Sequence, residues 1–254
     1  MKRKVLITGA AGRIGSFCTA QWADRYDLVL TDIREPQNTQ GFPFHVTNLA
    51  DFDAVRALCE GIDTIVHLGA DPSMEAPWES LLPNNLIATY NVFESAHQAN
   101  CRRVIFASSV NAVFGYPHDV QVRIDMPIRP INLYGATKVW GEGVASAYAA
   151  RTELSCICLR FGWVVDRASP HIRQEHPYLD IALTYEDLAR LVAGAIDAPD
   201  DVHYRVFHGI SNNRWKRLDI SDSRAVLGYD PQDDAFELAR ANAAADHAAA
   251  AQAA

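Results

Sequence analysis

A phenol and an ammonium stand four residues apart in Tyr134-Gly135-Ala136-Thr137-Lys138, a spacing that puts both on one face of a helix. A free phenol titrates near pH ~10, so a tyrosine serving as base at neutral pH needs a neighbouring cation to favour its phenolate. Tyr-x-x-x-Lys occurs by chance in many helices, and its context decides its weight. The apolar run before this helix ends in Ala107-Ser108-Ser109, which can present a hydroxyl beside the phenol. A second constellation opens the chain: Thr8-Gly9-Ala10-Ala11-Gly12-Arg13-Ile14-Gly15 follows a strand-like stretch and starts a helix. Small residues there let the backbone approach a pyrophosphate, and the helix N-terminus offers unpaired N–H groups. Asp32 ends the next strand, about twenty residues on, where a carboxylate accepts from both adenosine ribose hydroxyls and repels a 2′-phosphate. NAD rather than NADP is therefore the expected cofactor, with nearby Arg34 read as solvated.

The elements that must hold these groups alternate, strand-like then helix-like, in the pattern of a parallel sheet with helical crossovers. Strands are expected at Lys4–Thr8, Leu28–Asp32, Phe44–Val46, Thr64–Leu68, Arg103–Ser108, Ser155–Arg160 and Arg205–His208. Several are continuous apolar runs, as in strands covered on both faces. Helices are expected over Arg13–Arg25, Asp51–Cys59, Trp78–Asn100 with Pro83 in its early turns, Tyr134–Arg151 and Thr184–Ala198. The fold class is thus α/β, a Rossmann-type doubly wound parallel sheet. Val164–Tyr178 reads as a long polar loop, of the kind that is usually functional in a compact domain. From Ala235 alanine dominates, with Asp246 and His247 among the few charged groups, and the segment reads as a helix ending in a frayed tail. No repeat or linker divides the chain, so residues 1–254 are read as one domain in which about 161–254 forms a small substrate-side portion.

Composition narrows the partners. With 23 Lys plus Arg against 31 Asp plus Glu, the formal charge of −8 disfavours general affinity for nucleic acid or acidic membrane. Five scattered cysteines (Cys18, Cys59, Cys101, Cys156, Cys158) suit buried small hydrophobes in a reducing cytoplasm. No apolar run is long enough to span a bilayer, and the start of the chain holds too few apolar residues for a secretory signal. The histidines, His171 and His176 included, form no ligand-spaced set, so no metal is expected.

Taken in order, the glycine loop, Asp32, the serine strand end and the Tyr/Lys helix make the chain similar, over nearly its whole length, to the extended short-chain dehydrogenase/reductase superfamily, the NAD-dependent epimerases and dehydratases. That resemblance implies a catalytic set of Ser109, Tyr134 and Lys138, with Ser108 as the alternative serine. It also implies that His67-Leu68-Gly69-Ala70 lies under the nicotinamide-side phosphate, that Asn85 is the family's asparagine in the following helix, and that Asn48-Leu49 stands against the adenine where many relatives carry Asp-Leu. The implied cofactor contacts are then Gly9, Gly12, Arg13, Ile14, Gly15, Asp32, Asn48, Leu49, Leu68, Gly69, Ala70 and Asn85, with Tyr134 and Lys138. A cytoplasmic homo-oligomer, dimer or higher, is expected, with no nucleic-acid or membrane partner.

Within the superfamily the chain resembles uronate dehydrogenases and haloarchaeal glucose-6-phosphate dehydrogenases. The shared-looking stretches are His67 to Pro72, Glu75 to Glu79, Phe106 to Ser109, His208 to Ser211 and Val226 to Pro231. Both relatives oxidise the anomeric carbon of a pyranose to a lactone, and both substrates carry a distal anion. The resemblance therefore implies NAD-dependent oxidation of the C1 hydroxyl of an anionic pyranose, a uronate, a hexose 6-phosphate or similar. Tyr134 would be the base, Lys138 would lower its pKa and Ser109 would orient the hydroxyl. Asp71, Ser73 and Asn111 are candidate contacts to sugar hydroxyls, and Trp163 a candidate stacking surface. The relatives' carboxylate-binding arginine falls in the loop after Phe161, where Arg167 and Arg173 are the available cations, planar forks that suit carboxylate, phosphate or sulfonate alike; Arg173, with His171 beside it, is taken as the candidate and Arg167 as the alternative. Two departures stand out: Val110-Asn111 follows Ser109 where uronate dehydrogenases carry Asn-His, and Trp163 replaces a substrate-touching serine. The rival readings are an NAD-retaining epimerase or dehydratase using the same three residues, and a non-catalytic NAD-binding regulator.

Overall fold

In the first strand, β1 (Lys4–Thr8), successive side chains enter two different apolar layers, Val5 and Ile7 one and Leu6 the other. A strand apolar on both faces must be covered on both, and the rest of the chain does this. The computed structural model describes residues 2–253, with side chains to Ala244. The further strands are β2 (Asp27–Asp32), β3 (Phe44–Val46), β4 (Thr64–His67), β5 (Arg103–Ser109), β6 (Ser155–Phe161), β7 (Trp163–Val165), β8 (Ala182–Thr184) and β9 (Tyr204–Gly209). The helices are α1 (Arg13–Trp22), α2 (Phe52–Leu58), α3 (Trp78–Leu81), α4 (Ala88–Gln98), α5 (Leu133–Arg151), α6 (Tyr185–Ile196), α7 (Ser221–Leu227) and α8 (Ala235–Ala253).

Seven strands form one parallel sheet in the order β3-β2-β1-β4-β5-β6-β9. Helices α1 and α6 pack together on one face, and α2, α4 and α5 on the other. The chain winds outward in one direction from β1 and in the other from β4. The carboxyl ends of these two central strands therefore border the crevice where doubly wound sheets bind ligands. Side chains cap three of the helices: Asp51 accepts from Ala54 N, Asn132 from Gly135 N and Thr184 from Asp187 N. Helix α1 has no side-chain cap and no acidic residue in its first turn.

The expected elements are present, with three differences. The helix expected over Trp78–Asn100 is broken: Leu82–Ile87 is a wide π-type turn in which Ala88 N bonds back to Pro83 O. Part of the stretch read as loop is extended, because β7 pairs in parallel with β8 outside the main sheet. Neither three-residue strand is long enough to show periodicity. Helix α7 has no counterpart among the expected elements; it ends at Gly228 with φ +61°, a left-handed conformation suited to glycine. Ala235 and Ala239 of α8 pack against Val165, Ile172, Leu179 and Ala182. The expected fraying at Asp246 and His247 concerns side chains outside the described residues.

Candidate active site

The glycine loop is shaped by contact. Gly9 has φ +71°, and a Cβ there would stand 2.8 Å from Gly69 N, where the loops after β1 and β4 meet. A Cβ on Gly15 would stand 2.3 Å from Gly9 O. These glycines bring α1 and its uncapped N-terminus onto a cavity of about 690 Å³ that runs along the carboxyl edge of the sheet. Asp32 is anchored at its wall: Oδ2 accepts Ala11 N at 2.9 Å and Oδ1 accepts Ile33 N at 2.7 Å. A carboxylate holding two bonds retains lone pairs for two more. Gly12, Arg13, Ile14, Asn48, Leu49, Leu68, Gly69 and Ala70 complete this end, and exposed Arg34 borders it beside Asp32. A close-approach backbone, open helix N–H groups and an anchored carboxylate are the features a dinucleotide needs, so these residues fit NAD.

At the far end stands the phenol. Asn132 fixes the start of α5 through its bond from Gly135 N at 2.7 Å, and its amide donates to Asn111 Oδ1 at 2.9 Å. Tyr134 and Lys138 then face β5, with Lys138 Nζ 5.5 Å from the Tyr134 ring centroid and 5.1 Å from that of Phe106. Burial pushes the Tyr134 phenol up to about 12, a hydrogen bond with Ser109 pulls it down, and the Asp71 carboxylate raises it. Burial drives the Lys138 ammonium down to about 8. Both shifts favour neutral forms; the ammonium, at about 8, keeps its charge at neutral pH, and the phenol, at about 12, needs a neighbouring cation to ionise.

The two neighbouring serines part company. Ser109 Oγ accepts from the backbone and side-chain nitrogens of Asn111, both at 3.1 Å, and is near enough to the phenol to lower its pKa. Ser108 Oγ is committed elsewhere, donating to Glu142 Oε1 at 2.6 Å. Under the site, Thr8 Oγ1 accepts Gly69 N at 3.1 Å and shares a hydrogen bond with His67 Nδ1 at 2.8 Å, while the other ring nitrogen, Nε2, shares one with Thr89 Oγ1 at 3.3 Å. Burial first, and the Lys138 charge second, hold His67 down to about 3. It is a neutral spacer beneath the lysine.

Around the substrate end the expected residues divide. Asp71, Ser109, Asn111 and Trp163 line the cavity; Ser73, His171 and Arg173 do not. Asn85 is also behind the wall, only 2% exposed. Its amide is spent on protein: Oδ1 accepts Asp71 N at 2.8 Å, and Nδ2 donates to Asp71 O and Thr137 Oγ1, each at 3.1 Å. The π-type turn points this residue inward, where it holds the Asp71 loop, and Asn84 takes the place on the wall. Trp163 stacks on His176 at 4.0 Å and 10°. Arg167 is paired with Asp233 at 2.6 Å and Glu186 at 3.4 Å. Arg173 makes no ion pair among the described residues, and it and His171 lie close enough to add to the burial that lowers the His176 pKa. The cationic group thus stands behind Trp163. Phe114, Tyr178 and Tyr185 also line the cavity; they come from irregular segments or a helix start, where spacing carries no signal. Among the described residues no cluster of three or more His, Cys, Asp or Glu could hold a metal, and no helix is long and apolar enough to cross a membrane.

Comparison with known proteins bears on this arrangement. The model of the NAD dependent epimerase/dehydratase family matches residues 5–176. The chain belongs to the NAD dependent epimerase/dehydratase family. Among its relatives is the NAD-dependent glucose-6-phosphate dehydrogenase of Haloferax volcanii, 35% identical over 94% of this chain and 96% of that protein. The uronate dehydrogenase of Pseudomonas syringae pv. tomato is 33% identical over 91% of this chain and 82% of its own length. In structure, a mutant uronate dehydrogenase from Agrobacterium tumefaciens complexed with NAD superposes with a TM-score of 0.83 at 30% identity, covering 94% of this chain and 88% of that one. That superposition shows that the two chains share one fold over nearly the whole of this chain.

Proposed function

We propose that the protein is an NAD-dependent sugar 1-dehydrogenase that oxidises the anomeric hydroxyl of an anionic pyranose, a uronate or a hexose 6-phosphate, to the lactone. The observation that carries this reading is the convergence of Ser109, Tyr134 and Lys138 at one end of a single cavity whose other end is the glycine loop and Asp32. Gly9, Gly12 and the α1 N-terminus hold the pyrophosphate and Asp32 the adenosine ribose. NAD, when bound, supplies the hydride acceptor and a positive ring that adds to Lys138 in favouring the phenolate.

Tyr134 takes the proton from the C1 hydroxyl as C1 becomes a carbonyl carbon, and Ser109, itself fixed by Asn111, orients that oxygen and bears its developing charge. Lys138 supplies the cation against which the phenol ionises. Asp71 and Asn111 are placed on the wall to meet sugar hydroxyls, and the Trp163 indole offers a flat apolar face to the pyranose ring. Arg173, which has no ion-pair partner among the described residues, turns from beside His176 onto the wall to bond the distal anion, with His171 beside it. The stretch from about residue 161 is then the substrate-side portion of one NAD-binding domain. Exposed Leu82, Ile87, Tyr90 and Trp140 accord with a homo-oligomer, which sedimentation equilibrium would detect.

The deciding experiment offers uronates, hexose 6-phosphates, sulfo-sugars and neutral aldoses with NAD and follows NADH absorbance. Stoichiometric NADH from an anionic sugar supports the reading. Conversion of a sugar without net NADH would mean an epimerase or dehydratase, and tight NAD binding with no turnover a regulator.

A further inference from the structure

One buried polar cluster beside the site is left without a role. Ser108 of β5, Arg160 of β6 and His208 of β9 are register partners across three adjacent strands, and all three are buried. Over this row α5 lays Glu142, one turn beyond Lys138 as Lys138 is one turn beyond Tyr134. The carboxylate accepts Ser108 Oγ at 2.6 Å and both arms of the Arg160 fork at 2.8 Å. His208 donates from Nδ1 to Asp219 O at 3.0 Å, and burial, with the Arg160 charge, keeps it neutral by holding its pKa down to about 4.

Such a pair is a poor choice if stability alone is wanted, since apolar side chains of similar volume often do as well. Here it is also incompletely satisfied: Arg160 Nη1 and His208 Nε2 are buried without partners. Buried polar atoms left unpaired call for an explanation beyond packing. Position supplies one. Ser108 is bonded through the chain to Ser109, and Glu142 shares a rigid helix face with Tyr134 and Lys138. Gly141 brings that helix down onto Phe106, whose Cζ would stand 2.3 Å from a Cβ at this position.

We infer that Glu142, clamped by Arg160, is a positioning residue for the reacting groups: by receiving Ser108 it locks the end of β5 to α5 and so sets the separation of the Ser109 hydroxyl and the Tyr134 phenol. The inference rests on the reading of Tyr134 as the base. Loosening the Ser108 link lets Ser109 withdraw, and the phenol loses the neighbouring hydroxyl that favours its ionised form.

The test is a pH titration of the Tyr134 phenol in the NAD-bound protein, read by ultraviolet absorbance as the difference between each variant and the same variant carrying Tyr134→Phe. Sugar oxidation is measured on the same preparations. Ser108→Ala leaves the Arg160–Glu142 pair intact; it should raise the phenol pKa by about one pH unit and lower kcat about tenfold, with KM for NAD and sugar within about twofold. Ser108→Thr, which keeps the hydroxyl, should restore both. Arg160→Lys keeps the charge but loses the fork and should move the phenol the same way; it decides the matter should Ser108→Ala fail to fold. A pair that serves structure alone would lower the melting temperature and leave phenol and kcat unmoved, and that result overturns the inference. Because the titration needs no sugar, failure to oxidise any sugar would remove the proposed activity while the titration still judges the positioning role.

Discussion

Tyr134 and Lys138 are each pushed by burial toward the neutral form, which makes their pairing the most sensitive feature of the site. Tyr134→Phe removes the base and nothing that touches the pyrophosphate. It should lower kcat by about 10²–10⁴ while NAD affinity, measured by calorimetry, stays within about twofold; turnover within about tenfold of the parent would remove Tyr134 from that role. Lys138→Met takes away the cation that favours phenolate, so the pH at which activity reaches half its plateau should move upward. An unmoved profile would contradict the assignment. Arg173 stands behind Trp163 rather than on the wall, yet it has no ion-pair partner among the described residues, whereas Arg167 has two. Arg173→Ala should therefore cost anionic sugars about ten- to a hundredfold in kcat/KM, the equivalent of a charge-assisted bond of roughly 1.5–3 kcal/mol, and leave neutral aldoses nearly untouched. Equal losses for both classes would show that it only supports the loop.

Among the elements, the loop joining β1 to α1 is the one that tolerates least. A methyl group at Gly15 would meet the Gly9 carbonyl oxygen at 2.3 Å, and both sides of that contact are backbone. Gly15→Ala should cost roughly 2 kcal/mol or more in urea unfolding and weaken NAD binding as α1 is pushed off the loop; an unchanged midpoint would contradict the close approach. Asp32 and this loop were legible because chemistry and spacing coincide there, as were β1, β2, β4, β5 and β6, whose buried runs read as strands covered on both faces. Asn85 shows where legibility ended: only the family resemblance implied a cofactor contact, and the π-type turn around Pro83 turns its amide inward to clamp Asp71. A wide turn of this kind has no signature in hydrophobic period. The same holds for the short β7–β8 pair, for α7, and for the aromatic wall of Phe114 and Tyr178, which tertiary contacts assemble from irregular stretches.

At the scale of the whole molecule, the sheet carries two neutral histidines in its interior. Burial holds His67 down to about 3 and His208 down to about 4, whereas the unfolded chain protonates both near pH ~6.5. Between these values the unfolded state binds protons that the native state refuses, so their contribution to stability is fully present above pH ~6.5 and declines as the pH falls. The urea midpoint should be lower at pH 5 than at pH 7; an equal or higher midpoint would contradict the neutral assignment. The same sheet brings the α1 N-terminus and the Tyr134 phenol to the two ends of one cavity, and the central claim is that a hydride crosses between sugar and NAD there. The most direct measurement is oxidation of a uronate or hexose 6-phosphate deuterated at C1, with NAD, followed by mass spectrometry of both products. The account predicts one deuterium on the reduced cofactor for each lactone formed, with the yield collapsing in Tyr134→Phe. Deuterium retained in the sugar, or NAD left unreduced across the whole panel, would contradict it.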